Sequence, residues 1–205
     1  MHRFLRLAPG IWLISVLLAG CASGSSLSYY LIDPAPGEVM LPAGDAVLVI
    51  EILDVQLPRY LDRNQIVKRR ADGQLALSNS HHWGENLRLN LLRTLAQNLS
   101  ERLDSVDVAT PRARSATLPD FRIALIIEAF EPDPRGRVQL LARWQIMDRA
   151  GNVAATRRSR LEAAQTVTDG DFPGLVRAMS GLYGELSDEI ARELLAVAGS
   201  RLDRA

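Results

Sequence analysis

The chain has 205 residues, of which 47% are hydrophobic, and its 24 basic residues balance 24 acidic residues. This length suits one ordinary domain with a substantial core. The even charge indicates neither a nucleic-acid-binding surface nor a patch for anionic lipid. A single cysteine, Cys21, leaves the chain without an internal disulfide or a thiolate metal site.

The first 20 residues have the layout of an export signal. Arg3 and Arg6 precede an apolar run from Ile11 to Leu18 that is too short to span a membrane as a helix. Leu18-Ala19-Gly20-Cys21 resembles the lipobox of bacterial lipoproteins, in which the cysteine receives a diacylglyceryl group and cleavage occurs just before it. We therefore expect residues 1–20 to be a lipoprotein signal peptide and Cys21 to be the lipid attachment site. The alternatives are an ordinary secretory signal and a free buried thiol.

The mature chain would begin at Cys21 with 185 residues and 22 basic against 24 acidic side chains, since Arg3 and Arg6 are lost with the signal. Two or three acyl chains, palmitate among them, hold a protein stably at a membrane. An Asp directly after the cysteine would signal retention in the inner membrane. Because Ala22 stands there instead, the periplasmic face of the outer membrane is the favoured location. Residues 21–28 are small and polar, and the seven residues after Cys21 reach roughly 25 Å as a flexible tether.

Strand patterns dominate the first half of the domain. Ser28 to Asp33 predicts a short strand before a turn-rich loop, and Ala46 to Val55 predicts a central strand with both faces apolar. A hairpin is predicted from Gln65 to Ser78, turning at Ala71-Asp72-Gly73. Ser80 is a plausible N-cap for an amphipathic helix from His82 to Leu103, whose solvent-facing side would carry Arg88, Asn90, Arg93, Gln97 and Arg102.

Four further strands and a second helix complete the pattern. A brief strand is predicted at Ser105 to Ala109, and longer strands at Phe121–Phe130, Val138–Met147 and Val153–Ala163 form an antiparallel meander. Asp171 can cap a helix with a continuous apolar stripe and outward-facing Glu185, Asp188, Glu189, Arg192 and Glu193. The predicted fold is α+β, with an antiparallel or mixed β-sheet covered by two long amphipathic helices in a single domain at 29–199. Residues 200–205 would be a frayed tail.

The residues that could carry chemistry are few. The adjacent His81 and His82 would point about 100° apart on a helix, so a helix-start role is favoured over a metal site. Asp188 and Glu189 are interpreted as solvated surface, and Trp83 and Trp144 as packing. Arg157, Arg158 and Arg160 could meet an acidic partner, but an exposed or edge strand explains them equally well. Since hydrolase and phosphate-loop motifs are absent, we expect no enzyme, no cofactor and no bound metal.

Several segments resemble the ABC-type transport auxiliary lipoprotein family, whose best-known branch belongs to the paraquat-inducible Pqi system. The segments are Tyr29-Tyr30-Leu31, the run from Leu57 to Val67, Leu77 to Trp83 with Glu85 and Leu87, Leu92 to Leu99, and Leu175 to Met179. Pro58-x-Tyr60-Leu61-Asp62-x-x-Gln65-Ile66-Val67 is the most specific part. The resemblance covers nearly the whole mature chain.

The resemblance implies a non-catalytic accessory subunit of a system that moves lipids or other hydrophobic molecules between membranes and supports envelope integrity. Its implied partner is a periplasmic MCE-domain protein, and the chain would dock at the outer-membrane end of that bridge, in some members as a homo-oligomeric ring. The alternative function is a structural or assembly lipoprotein that chaperones an outer-membrane protein or binds the cell wall.

The loop Pro58-Arg59-Tyr60-Leu61 is our candidate partner interface, because it places an aromatic and a leucine side chain in an otherwise polar turn. The alternative is that Tyr60 and Leu61 fold back into the core.

Overall fold

The computed structural model describes residues 26–41, 48–104, 106–113 and 115–202, so Cys21 and the signal peptide lie outside the described residues. The strands are β1 (Ser28–Tyr30), β2 (Leu48–Gln56), β3 (Gln65–Arg69), β4 (Leu75–Trp83), β5 (Val106–Ala109), β6 (Phe121–Pro132), β7 (Arg137–Asp148) and β8 (Val153–Thr166). The helices are α1 (Leu87–Arg102) and α2 (Phe172–Leu202). The predicted α+β class is confirmed.

The larger sheet has five strands in the order β5-β2-β6-β7-β8. β2 runs parallel to both β5 and β6, whereas β6, β7 and β8 form the predicted antiparallel meander. The alternation predicted for β7 is confirmed, since one face is buried in the core and consists of Val138, Leu140, Ala142, Trp144 and Ile146. β8 is an edge strand, in agreement with one interpretation of its arginines.

The smaller sheet has the order β1-β4-β3 and corrects our expectation of a single sheet. β3 and β4 form the predicted hairpin, which turns at Gly73 with a φ of 82°. β1 pairs in parallel with the end of β4, so that Ser28 lies opposite His81 and Tyr30 opposite Trp83. A parallel pairing between segments this far apart in the chain leaves no local signal in the sequence.

The start of α1 differs from the prediction. Ser80, His81 and His82 belong to β4, where the Ser78 hydroxyl accepts a hydrogen bond from the His81 amide at 2.9 Å. The N-cap is Asn86, whose side-chain oxygen accepts from the Leu89 amide at 3.3 Å. The helix-start role expected for His81 and His82 is therefore wrong, because pairing with β1 keeps this segment extended.

The cap predicted for α2 is present. Asp171 Oδ1 accepts from the Gly174 amide at 2.8 Å, which satisfies one of the free donors of the first turn. The helix ends at Leu202, and residues 203–205 lie outside the described part of the chain, so the frayed tail at 200–205 stays a prediction.

Both helices pack against the five-stranded sheet and against each other. α1 contacts β2 and β5, and α2 contacts β6, β7 and β8. The core between them is formed by the leucines of α1, the apolar stripe of α2 and the inward faces of β2, β6 and β7. Trp83 and Trp144 are both buried in this core, as expected for packing residues.

A buried polar stripe runs along α1, contrary to the prediction that Asn90 and Arg102 face solvent. Asn90, Thr94, Asn98 and Arg102 follow one another at four-residue intervals and therefore lie on one face. Asn90 Oδ1 accepts from the Ile32 amide at 2.7 Å, and its Nδ2 donates to the Ile32 carbonyl at 3.0 Å. These bonds hold the segment after β1 against the helix, where residues 31–40 have no regular structure of their own.

The stripe continues with the other polar residues. Thr94 Oγ1 donates to the Ile32 carbonyl at 2.9 Å, and Asn98 Oδ1 accepts from the Ala35 amide at 3.1 Å. The Arg102 carbonyl accepts from the Met40 amide at 2.6 Å. The stripe thus supplies hydrogen-bonding partners to backbone that would otherwise be buried unpaired. The first strand is thereby held in a defined place on the domain.

The acidic residues of α2 are also less solvated than predicted. Asp188 accepts from Arg102, Glu189 accepts from the Ser159 hydroxyl, and Glu193 accepts from Arg157 Nη2 at 2.6 Å. Arg158 donates to Glu128 at 3.2 Å. The interpretation of Asp188 and Glu189 as solvated surface is therefore wrong, because both residues tie α2 to neighbouring elements.

Candidate functional site

The Pro58–Leu61 loop is a tight turn between β2 and β3. The Pro58 carbonyl accepts hydrogen bonds from the Leu61 amide at 2.9 Å and the Asp62 amide at 3.3 Å. Arg59 is exposed, Tyr60 is half-buried, and Leu61 is only 3% exposed. Leu61 thus folds into the core, as one of our two alternatives held, whereas Arg59 remains at the surface.

Tyr60 belongs to a polar cluster that the sequence did not reveal. Its hydroxyl donates to Glu131 Oε2 at 2.9 Å and lies 3.2 Å from Oε1. Arg69 donates to Glu131 Oε1 from Nε at 3.0 Å and from Nη2 at 2.7 Å, and the Phe130 amide donates to Oε2 at 2.8 Å. The Glu131 side chain is 4% exposed, so these donors replace the water that a buried carboxylate loses.

The protonation states in this cluster favour a structural role. Burial, together with the adjacent Glu131 charge, raises the pKa of Tyr60 to about 12. The hydrogen bond to Glu131 raises the pKa of Arg69 above its usual value. Tyr60 is therefore a neutral donor and Arg69 a cation at physiological pH. The cluster fastens the loop and β3 to the end of β6.

The two histidines lie in an aromatic group that joins the N-terminal strand to α2. The His81 ring stacks on Phe172 with centroids 3.8 Å apart, and its Nδ1 is 2.9 Å from the Tyr30 hydroxyl. His82 meets the edge of Tyr29 at 6.0 Å. Within the described ranges, no three His, Cys, Asp or Glu side chains are grouped so that they could hold a metal ion.

Apolar side chains are exposed around the first strand. Leu27, Tyr29 and Leu31 occupy alternate positions, and Tyr29 is 62% exposed. The three lie in β1 or next to it, near the start of the described chain. None of the helices in the described residues is long and apolar enough to cross a membrane.

Sequence reasoning identified Tyr60 but missed Arg69 and Glu131. Glu131 is far from Tyr60 and Arg69 in the sequence, so no local pattern indicates that the three side chains meet. The one available signal was the charged Glu131 itself, which stands before Pro132 at the end of an apolar strand. Cys21 lies outside the described residues, so the structure does not bring it into relation with this loop.

Comparisons of sequence identify relatives of this chain. The family model of the ABC-type transport auxiliary lipoprotein component matches residues 29–191. The intermembrane transport lipoprotein PqiC of Escherichia coli strain K12 is 27% identical over 187 residues, which cover 89% of this chain and 96% of PqiC. The Shigella flexneri protein of the same name matches with the same identity and coverage.

Solved structures share the fold. A crystal structure of an uncharacterized protein matches with a TM-score of 0.68 and 22% identity, and covers 82% of this chain and 99% of its own. A crystal structure of a protein from Xanthomonas campestris matches with a TM-score of 0.63 and 14% identity, and covers 88% of this chain and 98% of its own. Since the family model spans most of the sequence, this chain belongs to the ABC-type transport auxiliary lipoprotein family.

Proposed function

We propose that this protein is an outer-membrane-anchored periplasmic lipoprotein that serves as a non-catalytic accessory subunit of an MCE-type intermembrane transport system for lipids or other hydrophobic molecules. The observation that carries the proposal is the match to PqiC, a protein named as an intermembrane transport lipoprotein, over 96% of the PqiC length. The family description of an auxiliary component supports the accessory role.

Anchoring is supported by the sequence and by the position of the first strand. Cys21 follows a lipobox-like segment, and β1 begins at Ser28, seven residues later. A tether of this length keeps the domain within roughly 25 Å of the lipid surface. The hydrogen bonds from α1 to residues 32 and 35 hold the chain after β1, so the tether leaves the domain at a defined place.

The partner in this proposal is a PqiB-like MCE-domain protein, and the Pro58–Leu61 loop is the proposed contact. Leu61 packs in the core, which leaves Arg59, Pro58 and the outer part of Tyr60 to meet the partner. Glu131 and Arg69 hold Tyr60 in place, so the loop is ordered before binding and loses little entropy on association.

Membrane fractionation tests the anchor. Cys21→Ser should leave the protein out of the outer-membrane fraction, and Ala22→Asp should move a still lipidated protein toward the inner membrane in a host that uses Asp as its retention signal. Ser25→Ala is the matched control and should fractionate like the unchanged chain. Outer-membrane localisation of a Cys21→Ser protein from which the signal had been cleaved would contradict the proposed anchor.

A photoreactive amino acid at position 59 tests the partner. We expect crosslinking in cells to an MCE-domain protein, identified by mass spectrometry. The same probe at position 160, an exposed site on the edge strand β8, is the control and should give no such product. The proposal that the loop contacts the partner would be contradicted by equal crosslinking from both positions. It would also be contradicted by the absence of crosslinking from position 59 while the complex still co-purifies.

A further inference from the structure

An open groove of about 570 Å³ lies between the β3–β4 hairpin and two loops of the larger sheet. One wall is the hairpin turn at Arg70 and Ala71. The other is formed by the β6–β7 loop at residues 133–136 and by the β8–α2 connection at residues 166–169. We call this space the basic groove, because its charged lining residues are Lys68, Arg69, Arg70, Arg135, Asp133 and Asp169. Its volume lies within the range of about 300–1,000 Å³ typical of small-molecule sites.

The two acidic residues of the basic groove are already engaged. Asp133 Oδ1 accepts from the amides of Arg135 at 2.8 Å and Arg137 at 2.9 Å. Asp169 Oδ1 accepts from Lys68 Nζ at 2.9 Å, and this hydrogen bond holds the pKa of Asp169 below its usual value. Lys68 also lies over the Phe172 ring, 4.2 Å from its centroid. The nearby Arg70 charge also lowers the pKa of Asp169, and the lining holds four cations against these two carboxylates.

Two cations of the groove, Arg70 and Arg135, keep their guanidinium donors available. Arg69 is bound to Glu131, but the Arg70 and Arg135 side chains form no ion pair or hydrogen bond with any residue in the described ranges. They are exposed and line the same groove from opposite walls. Guanidinium groups present planar sets of donors that match phosphate oxygens. A site with two such groups attracts a compact oxyanion.

The walls that carry these arginines are fixed by backbone bonds. The Arg70 amide donates to the Gln74 carbonyl at 2.9 Å, and the Gly73 amide donates to the Arg70 carbonyl at 3.0 Å. Opposite, the Gly136 carbonyl accepts from the Val167 amide at 2.8 Å, and Gly136 has a φ of 80°. The arginine backbones are thus held in place before any ligand binds, which lowers the entropy cost of binding.

Part of the groove lining is apolar. Ala76 and Val167 are partly exposed in it, and the buried Pro132 and Leu175 lie behind the surface. A free inorganic anion would use only the arginines, whereas an amphiphile would also cover this apolar lining. The combination of cationic and apolar lining residues suits a phosphate group attached to a hydrocarbon portion.

We propose that the basic groove binds a phosphate group carried on an amphiphile, with Arg70 and Arg135 contacting the phosphate oxygens. A phospholipid headgroup has this chemistry. The inference deepens the proposed function and depends on it for its biological meaning, although binding itself requires neither the MCE partner nor the lipid anchor.

Calorimetry with defined probes tests the proposal. The chain from residue 22 onwards contains every described residue and the whole core, so it serves as the test protein. The probes are dihexanoyl-phosphatidylglycerol below its micelle concentration, inorganic phosphate, and dihexanoylglycerol, which has no phosphate. We expect saturable binding of the phosphatidylglycerol, weaker binding of phosphate and none of dihexanoylglycerol.

The variant pair Arg70→Gln with Arg135→Gln should weaken phosphatidylglycerol binding by about tenfold or more, as loss of charged hydrogen bonds implies. Arg160→Gln with Arg177→Gln is the control, because it removes the same charge from exposed positions outside the groove. Unchanged melting temperatures would confirm that all variants fold. Binding should also weaken as salt concentration rises.

Equal losses in both variant pairs, or no binding of the phosphatidylglycerol, would overturn the proposal. If inorganic phosphate bound as tightly as the phosphatidylglycerol, the proposal of an amphiphilic ligand would be overturned, and the groove would be a simple anion site. If the groove failed these tests while the full chain still co-purified with an MCE-domain protein, the proposed function would stand without this inference.

Discussion

Arg102 of α1 is fully buried and forms an ion pair with Asp188 of α2 through its Nε atom. Its Nη1 also donates to the Asn98 carbonyl at 3.2 Å, and its Nη2 to the Gly184 carbonyl at 3.3 Å. The guanidinium thus links the two helices beside the segment that follows the first strand. A buried cation with several acceptors contributes to the definition of this packing even where its net stabilisation is small.

Arg102→Met should destabilise the domain by about 3 kcal/mol, because it leaves Asp188 without its ion-pair partner and removes the guanidinium hydrogen bonds that link the two helices. Glu185→Gln on the exposed face of α2 is the control and should change stability by less than about 0.5 kcal/mol. Urea unfolding followed by circular dichroism measures both. An Arg102→Met protein as stable as the control would show that the pair is not needed to hold the helices.

Asn90→Asp should release the segment after the first strand. The substitution keeps the shape of the side chain but replaces the Nδ2 donor with an oxygen that faces the Ile32 carbonyl, and it places a charge where Asn90 is 1% exposed. We expect a loss of about 2–3 kcal/mol and faster hydrogen exchange at the Ile32 amide. Gln97→Glu, on the exposed side of the same helix, should leave that exchange rate unchanged.

Alkaline pH should destabilise the domain partly through Tyr60. The folded-state pKa of about 12 lies above the usual value of 10, so the folded state keeps a proton that the unfolded state loses. The stabilisation is complete below pH 10 and declines as the pH rises from 10 to 12. Tyr60→Phe should therefore flatten the fall in urea midpoint between pH 9.5 and pH 11.5.

Part of the alkaline fall should persist in Tyr60→Phe, because burial also raises the pKa of Tyr183, whose hydroxyl donates to the Leu91 carbonyl at 2.9 Å. A pH profile in Tyr60→Phe that is identical to that of the unchanged chain would contradict the assigned protonation of the cluster.

Gly136→Ala should cost more than Gly151→Ala, although both glycines have positive φ, 80° and 89°. A Cβ at position 136 would overlap the Val167 carbonyl oxygen, whereas a Cβ at position 151 meets nothing within 4 Å. The backbone strain common to both is about 1–2 kcal/mol. Thermal unfolding should therefore show a further loss only for Gly136→Ala, and equal losses would argue against the close contact of the two loops.

Local patterns predicted the elements whose burial is decided within one strand or helix. The alternation from Val138 to Ile146 identified the buried face of β7, and Asp171 identified the start of α2. Ser80 gave a false helix start because the pairing of Ser28 with His81, which keeps this segment in a strand, joins distant parts of the chain. Such non-local contacts override local capping signals.

The candidate site was predicted in part for the same reason. Tyr60 and Leu61 stood out as large side chains in a polar turn, but their fates depend on other elements. Leu61 fills a space in the core, and Tyr60 is held by Glu131, 71 residues away in sequence. Asn90 and Arg102 were predicted to face solvent because their partners, backbone groups of the segment after β1 and residues of α2, are distant in sequence.

The proposed role as an accessory subunit of an intermembrane transport complex can be tested by purifying the full chain, tagged at its chromosomal locus and extracted from its own envelope in mild detergent. We expect an MCE-domain protein to co-purify in stoichiometric amounts with the lipidated chain. Recovery of the lipidated chain alone, or with an outer-membrane assembly protein in place of the MCE-domain protein, would contradict it.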